Sequence, residues 1–242
     1  MSLQKFKHDL INQPFQNAVE NAIKSANHNL SFLTFSQSCQ DLFVVAMLEG
    51  KSKGTFLEIG CGQPKYGNNT FVLENFFLFT GVSIDLNYDD NWSANRHLNI
   101  VERSWPLCRP ATLWHKTDAL NFDYSSLPNY FDYLQIDIDP PKSNLELLEK
   151  LCSTKKFAVI TFEHDDWDSR SFELNIKRRS REFLLSKGYI LIGGDIGGRN
   201  NSKLVSYEDW WVHPNFIKKE IIDAYKTITP VTKHWSEVLF KR

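Results

Sequence analysis

Long apolar runs are missing from this chain of 242 residues. The longest, around residues 75–82, falls far short of the roughly 20 residues that a membrane helix needs, so no membrane span is expected. Residues 1–16 are polar, mixed in charge, and lack the apolar core of a signal peptide. Cysteine is scarce: Cys39, Cys61, Cys108 and Cys152 form no C-x-x-C pair, which excludes a zinc ribbon and a thioredoxin motif. Cys61 and Cys152 lie in apolar stretches, as small core residues do. Thiols used in this way point to a reducing, cytoplasmic setting. Neither sign of charge is in excess, the net being -1, and no basic stripe marks a face for nucleic acid or anionic membrane. Internal repeats and low-complexity tracts are absent as well.

What the chain does have is a globular composition, 42% hydrophobic and 24% charged, with aromatics at 14%. The rings supply either a thick core or a stacking surface. The length suits one domain with an appendage. Phe15, Val19 and Ile23, three to four apart, predict a helix over residues 6–29. Leu42, Val45 and Leu48 predict another over 38–48, capped by Ser38. Residues 1–50 are therefore expected as a helical segment packed on a main domain of residues 51–242.

From residue 51 the pattern changes. Apolar runs at 55–59, 81–84, 111–115, 133–138, 157–162, 189–192 and 203–207 alternate with helical stretches at 69–79, 143–151 and 171–186. Strands that are apolar throughout are buried on both faces, which implies a parallel sheet covered by helices. The expected fold is α/β: a doubly wound, mostly parallel seven-stranded sheet with helices on both faces. Ligands of such a sheet bind beyond the carboxyl ends of the strands, where the strand order reverses.

The residues after the strands therefore carry the functional reading. Glu58-Ile59-Gly60-Cys61-Gly62 closes the first strand, and its two glycines permit a tight turn and a close backbone approach. Lys65 stands where a dinucleotide fingerprint has its third glycine. That leaves a site for a nucleoside without phosphates, or a bare turn. Asp85 ends the second strand about where an acid accepts from ribose hydroxyls. Asp118, after the third, is either an acceptor for an adenine amino group or a turn cap. Asp137 and Asp139 follow the fourth, on one face by alternation, and Pro140 and Pro141 stop the strand. Glu163, His164, Asp165 and Asp166 follow the fifth. Crowded carboxylates repel unless a cation, a proton or a donor intervenes. The group suits a divalent metal such as Mg2+, or a general base, for which His164 has the most suitable intrinsic pKa, or solvated helix caps.

Phe35-Ser36-Gln37-Ser38-Cys39-Gln40-Asp41-Leu42 resembles the Tyr-Ser-Gln-x-x-Glu-Asp-Leu opening of FkbM-type methyltransferases. Residues 56–62 resemble their first cofactor motif. Pro64 and Gly67-Asn68-Asn69-Thr70 resemble the Pro and Ser-Asn-Thr that open the next helix. Gly81-Val82-Ser83-Ile84-Asp85 is similar to the second strand, and residues 131–139 to the Asp-Val-Glu-Gly strand. Lys187-Gly188-Tyr189 and residues 208–214 match late features. The likeness covers residues 35–214 and lies in the order and spacing of the motifs. It implies a Rossmann-like class I methyltransferase fold, S-adenosylmethionine as methyl donor, and O-methylation of a small-molecule hydroxyl, as on a sugar or polyketide. Glu58, Gly60, Cys61, Gly62, Asn69, Asp85, Asp118 and Asp137 would hold the cofactor. His164 and Asp137 would move the proton. The cluster Asp137, Asp139, Glu163, His164 and Asp165 also resembles the metal-site positions of catechol-type O-methyltransferases, with Asp137, Asp139 and Asp165 as the expected ligands. Two departures, Asp139-Pro140 for Glu-Gly and Gln40-Asp41 for Glu-Asp, bear on the substrate. A non-catalytic binding module and an NAD-binding oxidoreductase compete with this reading.

Three further stretches have two readings each. Residues 210–214 form a lid or substrate wall, or their tryptophans are partly buried edge residues. Lys177-Arg178-Arg179 with Arg181 is a docking face for an acidic partner or a solvated helix face. The glycine-rich residues 193–198 are an active-site loop or a connection.

Overall fold

The computed structural model describes residues 34–86, 104–200, 203–226 and 233–234. The helix expected over 6–29 lies outside them. In chain order the elements are α1 (Gln40–Met47), β1 (Thr55–Ile59), α2 (Phe71–Phe77), β2 (Thr80–Asp85), α3 (Trp105–Cys108), β3 (Thr112–Lys116) and β4 (Tyr130–Ile136). There follow α4 (Pro141–Thr154), β5 (Lys156–Glu163), α5 (Ser169–Glu173), α6 (Ile176–Ser186), β6 (Ile190–Asn200), β7 (Lys203–Val212), α7 (Lys219–Tyr225) and the short β8 (Lys233–His234). No helix among the described residues is long and apolar enough to cross a membrane.

The strands form one mixed sheet in the order β3-β2-β1-β4-β5-β7-β6-β8. β1 to β5 run parallel, while β7 runs antiparallel to both β5 and β6. From β1 the chain winds outward to β2 and β3, then crosses back to β4 and β5. The order therefore reverses between β1 and β4, and the crevice beyond their carboxyl ends is the place for a ligand.

The apolar strand sequences explain the layering. β4 and β5 are buried along nearly their whole length, and alternate residues feed two apolar layers. Phe56, Tyr133, Val159 and Trp210 pack with α1, α2 and α7 on one face. Leu57, Leu134, Ile160 and Trp211 pack with α4 and α6 on the other.

Four expectations need correction. Ser38 does not cap α1. Cys39 precedes the helix in a left-handed conformation with no side-chain cap, and the Asp41 carboxylate instead accepts from the Phe35 and Leu42 amides at 2.9 and 2.8 Å. The helix expected over 171–186 is two, because left-handed Asn175 breaks it. The glycines of 193–198 form no loop: they lie inside β6, paired with β7 through bulges, and Asp195 takes a positive φ of 57° there. The Trp210-Trp211 pair is no lid. Both are fully buried in β7, and each contributes roughly 4–6 kcal/mol of gross apolar burial.

Candidate functional site

The loop after β1 is built by close approach. Gly60 has φ +79°, and a Cβ there would stand 1.6 Å from the Asp137 carbonyl oxygen. Only glycine lets the ends of β1 and β4 come this near. The Gly60 amide donates to the Ile84 carbonyl at 2.9 Å, and the Asp137 amide to the Ile59 carbonyl at 3.0 Å. Gly62 is different. Its φ is +54°, nothing among the described residues lies within 4 Å of a Cβ, and its amide donates to Asp85 Oδ2 at 2.8 Å. Gly60 closes the turn, and Gly62 leaves space over it.

Beneath the loop lies a polar network. Glu58 is buried and accepts from Ser83 Oγ at 2.7 Å, Thr70 Oγ1 at 2.9 Å, the Asn69 amide at 3.2 Å and Asn68 Nδ2 at 3.3 Å. Burial raises its pKa, and Arg109 and these donors oppose the rise. Arg109, fully buried, donates to Glu74 at 2.7 Å, Asn68 Oδ1 at 2.8 Å and Thr70 Oγ1 at 2.7 Å. Two expectations change as a result. Glu58 does not reach out to a ligand, because four donors fill its lone pairs. Cys61 turns its thiol inward, where burial pushes its pKa up, and it offers only backbone to the loop. Arg109 carries no motif signal and was not foreseen. Two amide oxygens at the loop, Gln63 Oε1 and Asn69 Oδ1, are buried without a hydrogen-bond partner among the described residues.

The other cofactor candidates divide. Asp85 lies beside the loop at the end of β2, as expected. Asp118 serves its own turn, accepting from the Leu120 amide at 2.9 Å and from Asn121 Nδ2 at 2.7 Å. The turn-cap alternative describes it.

The carboxyl ends of β4 and β5, with Glu208 of the antiparallel β7 beside them, bring acids together on one face. Burial pushes Asp137 up to about 6, against a hydrogen bond from Glu163 that holds it down. Burial, then the Asp137 charge, holds Glu163 well above the ordinary range, so Glu163 keeps a proton and shares it with its neighbour. Asp165 is raised by burial and held down by hydrogen bonds with Glu163 and Trp167. Glu208, the cross-strand partner of Glu163, is pushed up to about 8 by burial despite donors from Trp210 and Gln40. Its contacts are 3.0 Å to Trp210 Nε1 and 3.2 Å to Gln40 Nε2. Neither Glu208 nor Gln40 was foreseen as part of this group.

Asp139 does not join it. β4 ends at Ile136, so strand alternation no longer applies, and the Asp139 side chain is 83% exposed, 3.6 Å from Arg170. Asp137, Asp139 and Asp165 therefore do not surround one point, and they do not fit a divalent cation. Among the described residues, His164, Asp195 and Asp209 alone bring three ligand atoms within 4.8 Å of one another. That cluster already holds cations: Arg181 binds both Asp209 oxygens at 2.7 Å, and Lys177 lies 3.1 Å from Asp195.

His164 is the main correction. It is fully buried and meets Asp209, which stands on the face of β7 opposite to Glu208, the partner of Glu163. Its Nδ1 accepts from the Asp166 amide at 3.3 Å, and its Nε2 lies 3.4 Å from Asp209 Oδ1. Burial alone would raise Asp209, but His164 and Arg181 hold it well below the carboxylate range. His164 thus belongs to an internal ionic network with Asp209, Arg181, Asp195 and Lys177, away from the Gly60–Gly62 loop. The basic cluster of α6 divides in the same way. Lys177 and Arg181 turn inward, while Arg178 pairs with exposed Glu182.

No protein-family model and no curated protein matches the chain. Solved structures of similar shape include an O-methyltransferase from Bacillus cereus in complex with SAH, at 16% identity and TM-score 0.49, covering 86% of this chain and 96% of that one. A precorrin-6y C5,15-methyltransferase from Geobacter metallireducens aligns at 14% identity and TM-score 0.45, over 71% and 86%. A methyltransferase from Pyrococcus furiosus aligns at 14% identity and TM-score 0.41, over 71% and 78%. Identities and scores this low leave activity to be read from the residues themselves.

Proposed function

We propose that the chain is an S-adenosylmethionine-dependent methyltransferase that methylates a hydroxyl on a small molecule, as the FkbM resemblance implies. One observation carries the reading. At the reversal point of the sheet, a glycine turn with open space over Gly62 stands between Asp85 and Asp137, with two donor-seeking amide oxygens beside it. A nucleoside with an α-amino group meets those needs. Its ribose hydroxyls suit Asp85, and its ammonium suits Asn69 Oδ1, Gln63 Oε1 and the acids of β4. Phosphates would bring negative charge to an acidic rim, which disfavours the NAD reading.

S-adenosylmethionine bound there would supply a methyl group activated on a sulfonium for transfer to the acceptor hydroxyl. The chain must hold the acceptor in line, since positioning supplies most of the rate of such a displacement. Asp137 takes the hydroxyl proton. Its pKa near 6 keeps it ionised at neutral pH yet basic enough to serve. Glu163 steadies the carboxylate by hydrogen bonding. No step is routed through a metal, because Asp139 is turned to solvent. Neither nucleic acid nor membrane is a partner in this reading, and the setting is cytoplasmic.

Calorimetric titration with S-adenosylmethionine, S-adenosylhomocysteine and NADH tests it, with and without magnesium. Binding of the first two near micromolar, unchanged by magnesium, is expected. Binding of NADH alone, or of none, would refute it.

A further inference from the structure

Lys65 follows Gly62 by three residues, so the two Cα atoms stand within about 11 Å of each other. Three rings surround the Lys65 ammonium. Nζ lies 4.9 Å from the Tyr66 centroid, 5.8 Å from that of Phe35 and 5.9 Å from that of Phe71, all within cation–π reach. The rings also pack on one another, Phe35 being 4.6 Å from Phe71 and 5.6 Å from Tyr66. They come from the segment before α1, from the loop itself and from the first turn of α2. Hydrogen bonds hold this frame. The Phe35 amide donates to Asp41 at 2.9 Å, and its carbonyl accepts from the Gly67 amide at 2.7 Å. The Pro64 carbonyl accepts from Arg109 at 3.2 Å, and the Phe71 amide donates to Asn68 Oδ1 at 2.8 Å.

A box of rings does two things to a lysine. It fixes a long, mobile side chain, and it keeps water from part of the ammonium, which strengthens the pull on an anion brought to it. The same loop carries the opposite need. Asn69 is 8% exposed, and its Oδ1, like Gln63 Oε1, is buried with no hydrogen-bond partner among the described residues. Oxygens in that state call for N–H donors. Arg109 beneath the loop is committed to Glu74, Asn68 and Thr70. The loop therefore presents a cation at residue 65 and donor-seeking oxygens at residues 63 and 69. A ligand that answers both carries an anion and N–H donors close together. An α-amino acid group has them on a single carbon, as carboxylate and ammonium.

We infer that Lys65, held by Phe35, Tyr66 and Phe71, binds the α-carboxylate at the amino-acid end of the cofactor, while Gln63 and Asn69 take the ammonium. The inference rests on the methyltransferase reading and adds to it the residue that tells a nucleoside with an amino-acid end from one without. A nucleoside that lacks the carboxylate still meets Asp85 through its ribose but gains nothing from Lys65.

Calorimetric titration of the full chain tests this with S-adenosylhomocysteine and 5′-(3-aminopropylthio)-5′-deoxyadenosine, the same molecule without its carboxylate. The unaltered protein should bind S-adenosylhomocysteine about tenfold tighter or more. Lys65→Met should weaken S-adenosylhomocysteine by about tenfold and leave the analogue within about twofold, so that the preference disappears. Retained affinity for the analogue shows that the variant is folded; should Lys65→Met fail to fold, Lys65→Gln reads the same difference. Phe35→Leu, which removes one ring of the box, should cut the preference to about threefold. Equal affinity of the unaltered protein for the two ligands overturns the inference, and so does an equal loss of both, or of neither, in Lys65→Met. Each of those results leaves the methyltransferase reading standing. Failure of S-adenosylmethionine and S-adenosylhomocysteine to bind the unaltered protein removes that reading and the inference with it.

Discussion

Gly60 and Gly62 look alike in sequence, yet substitution should separate them. At Gly60 a Cβ would meet the Asp137 carbonyl oxygen at 1.6 Å, where ordinary contact begins near 3.4 Å. The obstacle is backbone in a parallel strand pair, so no side chain can rotate away. Relief requires the ends of β1 and β4 to part, at the expense of the Gly60–Ile84 and Asp137–Ile59 hydrogen bonds, each about 1 kcal/mol net. The left-handed backbone adds roughly 1–2 kcal/mol for an L-residue. Gly60→Ala should therefore cost about 4 kcal/mol or more, a fall of about 8–16 °C in Tm for a chain of this size. Gly62→Ala has only the backbone term, roughly 1 kcal/mol, or about 2–4 °C. Its methyl group instead fills the space over the turn, so S-adenosylhomocysteine affinity should drop about tenfold, or 1.4 kcal/mol. Differential scanning calorimetry with and without the ligand reads both effects. Equal Tm losses, or a larger loss at Gly62, would refute the close approach that defines the site.

Asp137→Asn should lower kcat by about 10²-fold or more with cofactor affinity retained. In the unaltered protein, kcat/KM should fall as pH drops through about 6, where the Asp137 carboxylate takes up a proton, and level off above; a profile flat from pH 5 to 8 would remove Asp137 as the base. His164→Ala should act on stability, by about 2–4 kcal/mol from a buried cavity and a broken network, and should leave cofactor affinity within about twofold; the opposite split, measured by melting and calorimetry, would return His164 to the chemistry. Glu208→Gln should stabilise the chain at pH 9 and much less at pH 5. A folded pKa raised from 4.5 to about 8 means that stability is full below the ordinary carboxylate range and is lost as pH rises towards 8. Melting curves across that range that show no such gain would contradict the buried, protonated state.

Much of the fold was legible because its signals are local. The runs at 55–59 and 157–162 agree closely with β1 and β5, since a strand covered on both faces must be apolar throughout. The glycine spacing located the turn at the reversal point, and Asp85 was placed by its distance along the chain from it. The β6–β7 hairpin was not legible. Its glycines argued for a loop, and only cross-strand pairing with β7, which no local pattern records, makes residues 193–198 a bulged strand.

The misreading of His164 has a sharper cause. Residues 163–166 follow one strand, which suggests one rim, but Glu163 and His164 turn to opposite faces, as their neighbours Glu208 and Asp209 do on β7. Glu163 therefore meets Asp137 and Glu208, while His164 meets Asp209, whose own position on β7 is offset by one from Glu208. The same rule applied to β7 pairs acid with acid on one face and histidine with acid on the other. It divides these five titratable groups into a proton-sharing set and a set closed around Arg181 and Lys177. Composition identified the groups; the pleat decides which of them can do chemistry.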